Sequence, residues 1–78
     1  MFADVPTDRM SAAAGEVIAE IRAARRRRGL SLTDVSAASG LTKPAISRLE
    51  NGRNPNPTLD TLWRYATACG VELQLAAR

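Results

Sequence analysis

Apolar residues fall at helical spacing along most of this chain. Val17, Ile18 and Ile21 share one face, with Ala24 and Arg25 a turn above, and the spacing predicts a helix that opens near Ser11 as N-cap of an alanine-rich turn. Gly29 is the predicted stop. A short second helix is predicted from Ser31, with Asp34 as its capping-box partner and Val35 and Ala38 turned inward. Gly40 supplies a left-handed turn, which Leu41 pins to the core. A third helix begins at once: Thr42 is its N-cap, and Pro44 sits just inside, where its missing amide hydrogen costs nothing. Ile46 and Leu49 form its buried stripe and leave Lys43, Ala45, Ser47 and Arg48 turned outward. Residues 51–57, NGRNPNP, read as a turn-rich loop. Thr58 then caps a fourth helix with Leu59, Leu62, Tyr65, Ala66 and Cys69 at core spacing and Gly70 at its end.

The two ends follow other patterns. Residues 1–10, MFADVPTDRM, show no sustained periodicity and are expected to form a mobile arm ahead of a helical domain over 11–70. The tail 71–78 opens with VELQLA, whose alternation is that of a half-buried strand presenting Val71, Leu73 and Leu75, although Leu, Glu, Gln and Ala individually favour helix. One strand cannot satisfy its own backbone, and no second strand is visible in the sequence. Its natural partner is the same strand of another subunit, so a homodimer is expected.

Composition narrows the function. Seventy-eight residues fit one domain and leave no room for a second, catalytic one. Histidine is absent and Cys69 is the single cysteine, which removes a His-based triad, a Cys/His zinc cluster and the usual pH switch. A Ser47/Lys43 pair would lie exposed on a helix without shelter. No enzyme, metal site or cofactor is expected. With no secretory leader and no long apolar run, the chain reads as cytoplasmic, with no membrane partner.

Eleven Lys and Arg against eight Asp and Glu give a net charge of +3, consistent with a polyanionic partner but also with a basic ribosomal or membrane-surface protein. The positions of the charges separate these. Over residues 31–50, two short helices joined by a glycine turn can brace one helix on a DNA backbone and set the next in a major groove about 12 Å wide. Thr42, Lys43, Ser47, Arg48, Asn51 and Arg53 are all donors for phosphates or base edges, with no acid among them. Glu50, beside them, is expected to turn inward to an arginine.

At these residues the chain resembles the Cro/repressor helix-turn-helix family, which includes lambdoid phage repressors and Xre-type regulators. The resemblance covers roughly residues 16 to 73 and is carried by RRRRGLSLTDVSAASGLTKPAISRLENGRNPNP, above all by ISRLENGR. It implies an all-α, four-helix lambda-repressor-like fold. It also implies that Lys43, Pro44, Ala45, Ser47 and Arg48 face the groove while Thr42, Asn51 and Arg53 lie beside phosphates, and that Arg25 pairs with Glu50. Arg48 is the best base reader, since arginine grips guanine O6 and N7 with two hydrogen bonds. One position departs from the family: Leu32 stands where a phosphate-binding glutamine is usual. Leu32 is then free to pack on the core or a partner protein, and Thr33 to supply the phosphate contact.

Several residues have plainer readings. Arg26 and Arg27 fit a solvated helix face as well as a DNA contact, and Arg22 and Arg28 are equally open. Trp63 and Tyr65 read as core or dimer-interface residues rather than base-stacking platforms. Cys69 reads as a small buried hydrophobe. Double-stranded DNA is the expected partner and a dimeric transcriptional repressor, reading the groove with residues 42–50, the expected function. The alternative is an antitoxin that neutralises a toxin protein and represses its own operon, because several antitoxins join this motif to a GVEL-type terminal strand like residues 70–73.

Overall fold

The computed structural model describes residues 7–74. Four helices follow one another among them: α1 (Thr7–Arg27), α2 (Leu32–Ser39), α3 (Lys43–Glu50) and α4 (Leu59–Ala68). Thus α1 starts at Thr7 rather than Ser11, so residues 7–10 belong to it and Ser11 is an interior residue. The segment contains no helix breaker between Thr7 and Ala14, and Pro6, just ahead of it in sequence, is a residue that helices accept at their first turn. Residues 1–6 lie outside the described residues.

The later helix starts are set by local side-chain chemistry. Ser31 Oγ accepts from the Asp34 amide at 3.1 Å while Asp34 Oδ2 accepts from the Ser31 amide at 2.9 Å, a complete capping box. Hydrogen bonding by Ser31 also holds the Asp34 carboxyl below the usual aspartate range. Thr42 and Thr58 cap α3 and α4 by accepting from the Ala45 and Thr61 amides.

The helices enclose a core of Ile18, Ile21, Val35, Ile46, Leu49, Tyr65, Ala66 and Cys69. In it α2 packs on α3 and α4, and α1 closes over α3 and α4. Two positions differ from the periodic expectation. Ala38 is exposed and Ser39 buried in its place. Burial of Ser39 is tolerated because its Oγ accepts the Leu41 amide at 3.0 Å. Leu59 is exposed, because it stands at the first turn of α4, beyond the edge of the core.

The tail 71–74 is irregular rather than a strand. The Val71 amide donates to Ala66 O at 2.8 Å and so completes the end of α4. Val71 and Leu73 are half-buried against the core while Glu72 and Gln74 are exposed. Within the single chain, the alternation therefore corresponds to alternating burial. Leu75 lies outside the described residues. No helix among the described residues is long and apolar enough to cross a membrane.

The turn between α2 and α3 sets the angle of everything beyond it. Gly40 caps α2 at φ 77°, and its amide donates to Ser36 O at 3.0 Å. Ser36 Oγ donates to Leu41 O at 2.6 Å, so both polar groups of the Leu41 backbone are satisfied within the turn. A methyl group at Gly40 would meet only the Arg64 guanidinium at 3.5 Å, an ordinary contact. The cost of Gly40→Ala is then conformational: about 1–2 kcal/mol of stability is expected to be lost. Urea unfolding measures it, and an unchanged midpoint contradicts the requirement.

Candidate nucleic-acid interface

The helix α3 has eight residues, too few to be stable alone, so its orientation comes from what it packs against. Ile46 and Leu49 are 0% and 1% exposed. Successive helical residues point about 100° apart, so burying these two turns Lys43, Pro44 and Arg48 to the surface, and all three are exposed. Ala45 and Ser47 lie on the flanks and are half-buried. Asn51 Nδ2 donates to Ser47 Oγ at 3.1 Å, which links two of the polar groups on this face.

Beyond the helix the chain turns at once. The Arg53 amide donates to Arg48 O at 2.9 Å and the Gly52 amide to Leu49 O at 3.3 Å, with Gly52 at φ 72°, a closure that satisfies the last carbonyls of α3. Arg53 is thereby held beside the C-terminal end of α3 and is exposed. Lys43, Arg48 and Arg53 have no ion-pair partner among the described residues, so all three cations remain available to an anion. Thr42, whose Oγ1 caps the helix, is exposed, as are Asn51 and, across the turn on α2, Thr33. Leu32 packs against the core.

A buried charge cluster anchors the other end. Glu50 has a side chain 7% exposed and accepts from Arg25 twice, Nε to Oε2 and Nη2 to Oε1, both at 2.8 Å. Tyr65 Oη donates to Glu50 Oε2 at 2.6 Å, and Arg25 Nη1 donates to Leu30 O at 2.9 Å. The Arg22 Nε lies 3.7 Å from Glu50 Oε1 and is itself buried without a hydrogen bond, so it acts through charge alone. Burial pushes the Glu50 carboxyl upward, but the hydrogen bonds from Arg25 and Tyr65 outweigh it and leave it below the usual glutamate range. Burial first, and then the bond to Glu50, push the Tyr65 phenol far up, which keeps it a donor. The bond to Glu50 likewise raises Arg25.

Tyr65, which by sequence reads as a core or dimer-interface residue, is the member of this cluster whose polar role the sequence alone does not assign. A buried tyrosine requires a partner for its hydroxyl, and Glu50 was the one acid expected to turn inward. That pairing of requirements was the available signal. Arg22 and the serines of the α2–α3 turn carried none.

A bracing helix, a polar-locked glycine turn and a second helix with free cations outward define a helix-turn-helix protein. Residues 21–75 match the family profile described as Helix-turn-helix, and the chain belongs to that family, of the Xre/Cro type. It is similar to three curated bacterial proteins. Over 47 residues it is 47% identical to y4dJ of Sinorhizobium fredii, named an uncharacterised HTH-type transcriptional regulator, a match covering 60% of each chain. Over 51 residues it is 41% identical to the HTH-type transcriptional regulator DdrOP3 of Deinococcus deserti, covering 65% of this chain and 39% of the relative. Over 53 residues it is 34% identical to the HTH-type transcriptional regulator SlrR of Bacillus subtilis, covering 68% and 35%. The chain thus spans between 35% and 60% of the length of these relatives. No solved structure gives a significant match.

The anchor makes two stability predictions. Glu50→Ala leaves Arg25 unpaired in a mostly buried site, and a loss of about 3 kcal/mol is expected, the low end for a buried pair because Arg25 keeps some water contact. Tyr65→Phe is expected to cost about 1.5 kcal/mol, one hydrogen bond to a charged acceptor. Because the folded-state Glu50 pKa lies below its ordinary value of 4.5, its contribution is complete above that value and is lost as pH falls through the depressed one. Glu50→Gln should therefore flatten the acid side of the stability profile in urea titrations from about pH 7 to about pH 3. A variant that keeps the wild-type acid slope contradicts the assignment.

Proposed function

We propose that this chain is a sequence-specific DNA-binding transcriptional regulator that acts as a dimeric repressor, with α3 in the major groove. The observation that carries this reading is the contrast across α3 and the turn after it: the inner residues of α3 are locked to the core while Lys43, Arg48 and, just past the helix, Arg53 stand exposed without ion-pair partners among the described residues. The relatives named HTH-type transcriptional regulators support the same reading. The protein works by binding rather than by catalysis, and its place of action is the cytoplasm.

In this reading Arg48 grips a guanine through O6 and N7, and Lys43 reaches a base edge or a phosphate. Pro44 and Ala45 offer shape and contact to a thymine methyl, and Ser47 offers one hydroxyl. Thr33, Thr42, Asn51 and Arg53 hold phosphates on either side. Two copies then read half-sites about 34–36 Å apart, one helical turn. Occupied operator DNA excludes polymerase.

Selection of bound duplexes from a random pool is expected to enrich a palindrome, with affinity falling steeply as salt rises. Salt-insensitive or absent binding overturns the reading. Within the enriched site, Arg48→Ala is expected to cost about 1–3 kcal/mol and to relax preference at one base pair per half-site. Arg53→Ala should instead weaken all sequences alike and reduce the salt slope by about one per half-site. Competition binding on single-base operator variants separates the two patterns.

A further inference from the structure

Leu59 and Trp63 stand one turn apart on α4 and are 51% and 50% exposed, the large hydrophobic side chains that the described chain leaves in water. The helix does not need them inside: its core contacts come from Tyr65, Ala66 and, just past its end, Cys69. On the adjoining row, Asp60 and Arg64 are also one turn apart and form an exposed ion pair, Arg64 Nε to Asp60 Oδ2 at 2.9 Å. An apolar row beside a row of one acid and one base is complementary to itself when reversed.

We propose that this flank of α4 is the surface on which a second copy of the chain docks, across a two-fold axis. The proposal rests on the dimeric reading above and names the surface that makes the dimer. With the axis passing near residues 61 and 62, antiparallel α4 helices bring Asp60 beside the partner's Arg64 and Leu59 beside the partner's Trp63. Two-fold symmetry repeats each contact in reverse. A parallel alignment would instead set Asp60 on the partner's Asp60 and Arg64 on the partner's Arg64. The charges therefore select one direction, and Trp63 supplies the apolar anchor of the kind that dominates small interfaces.

Two apolar side chains per copy are few against the roughly 800 Å² that each partner of a stable complex commonly buries. Association in solution is accordingly weak, and DNA that holds two copies on neighbouring half-sites raises their effective concentration. Trp63 is the sole tryptophan, so its emission reports on this surface directly.

Sedimentation equilibrium and Trp63 emission, followed on the full chain across a range from micromolar to near-millimolar concentration, test the proposal. The expected result is a mass rising from one chain toward two, with the emission shifting to the blue in parallel. Trp63→Glu should weaken self-association by about tenfold or more, with circular dichroism and melting unchanged because the residue is outside the core. Asp60→Arg alone and Arg64→Asp alone should each weaken it, and the two together should restore it. Persistence of the dimer in all these variants overturns the α4 surface while leaving the dimeric reading intact. Blue emission that does not change with concentration overturns it too, since the chain itself then covers Trp63. A single-chain mass throughout, with non-cooperative occupation of the two half-sites of the selected palindrome, overturns the dimeric reading together with the surface.

Discussion

The carboxylate of Glu50 is the constraint on which the arrangement of α1 and α4 around α3 depends. A charge removed from water is expensive unless several donors meet it. Here two come from Arg25 of α1 and one from Tyr65 of α4. The two donor residues belong to different helices, so satisfying one charge fixes α1 and α4 relative to the end of α3. The apolar core alone would tolerate some rotation of an eight-residue helix, because burial is non-directional. Hydrogen bonds to both carboxylate oxygens are directional, and they set the phase that turns Lys43 and Arg48 out.

The opposite end of α3 is fixed by neutral groups. The two polar atoms of the Leu41 backbone are both taken by serines of α2, and Thr42 begins the next helix immediately. No slack residue remains between the bracing helix and the exposed one. A rigid joint at the start and a charge clamp at the finish make α3 a preformed surface, so little ordering entropy remains to oppose binding.

What could be read in the sequence was what neighbours in the chain decide. The starts at Ser31, Thr42 and Thr58 rest on a hydroxyl meeting an amide three residues on, and such chemistry does not depend on the rest of the fold. Ser11 misled for the same reason: it had cap chemistry, but the helix already ran through it from Thr7. Ala38 and Ser39 exchange places because apolarity alone favours alanine for the interior, while the partner that makes Ser39 acceptable there is supplied by the turn. Leu59 has core spacing but lies past the end of the core, a fact of length rather than of periodicity. Tyr65 and Glu50 are far apart in sequence and belong to different helices, so no spacing rule joins them. In the tail, alternation foretold which of Val71, Glu72, Leu73 and Gln74 would be covered, and it said nothing of the backbone.

The inner residues of α3, Ile46, Leu49 and Glu50, share almost nothing with its outer ones, Lys43, Pro44 and Arg48. Substitutions in the outer set leave the core and the clamp untouched. Whatever that surface recognises can therefore be rewritten by single codon changes without first rebuilding the scaffold. Duplicated copies of such a gene can diverge to new targets along paths on which every intermediate still folds.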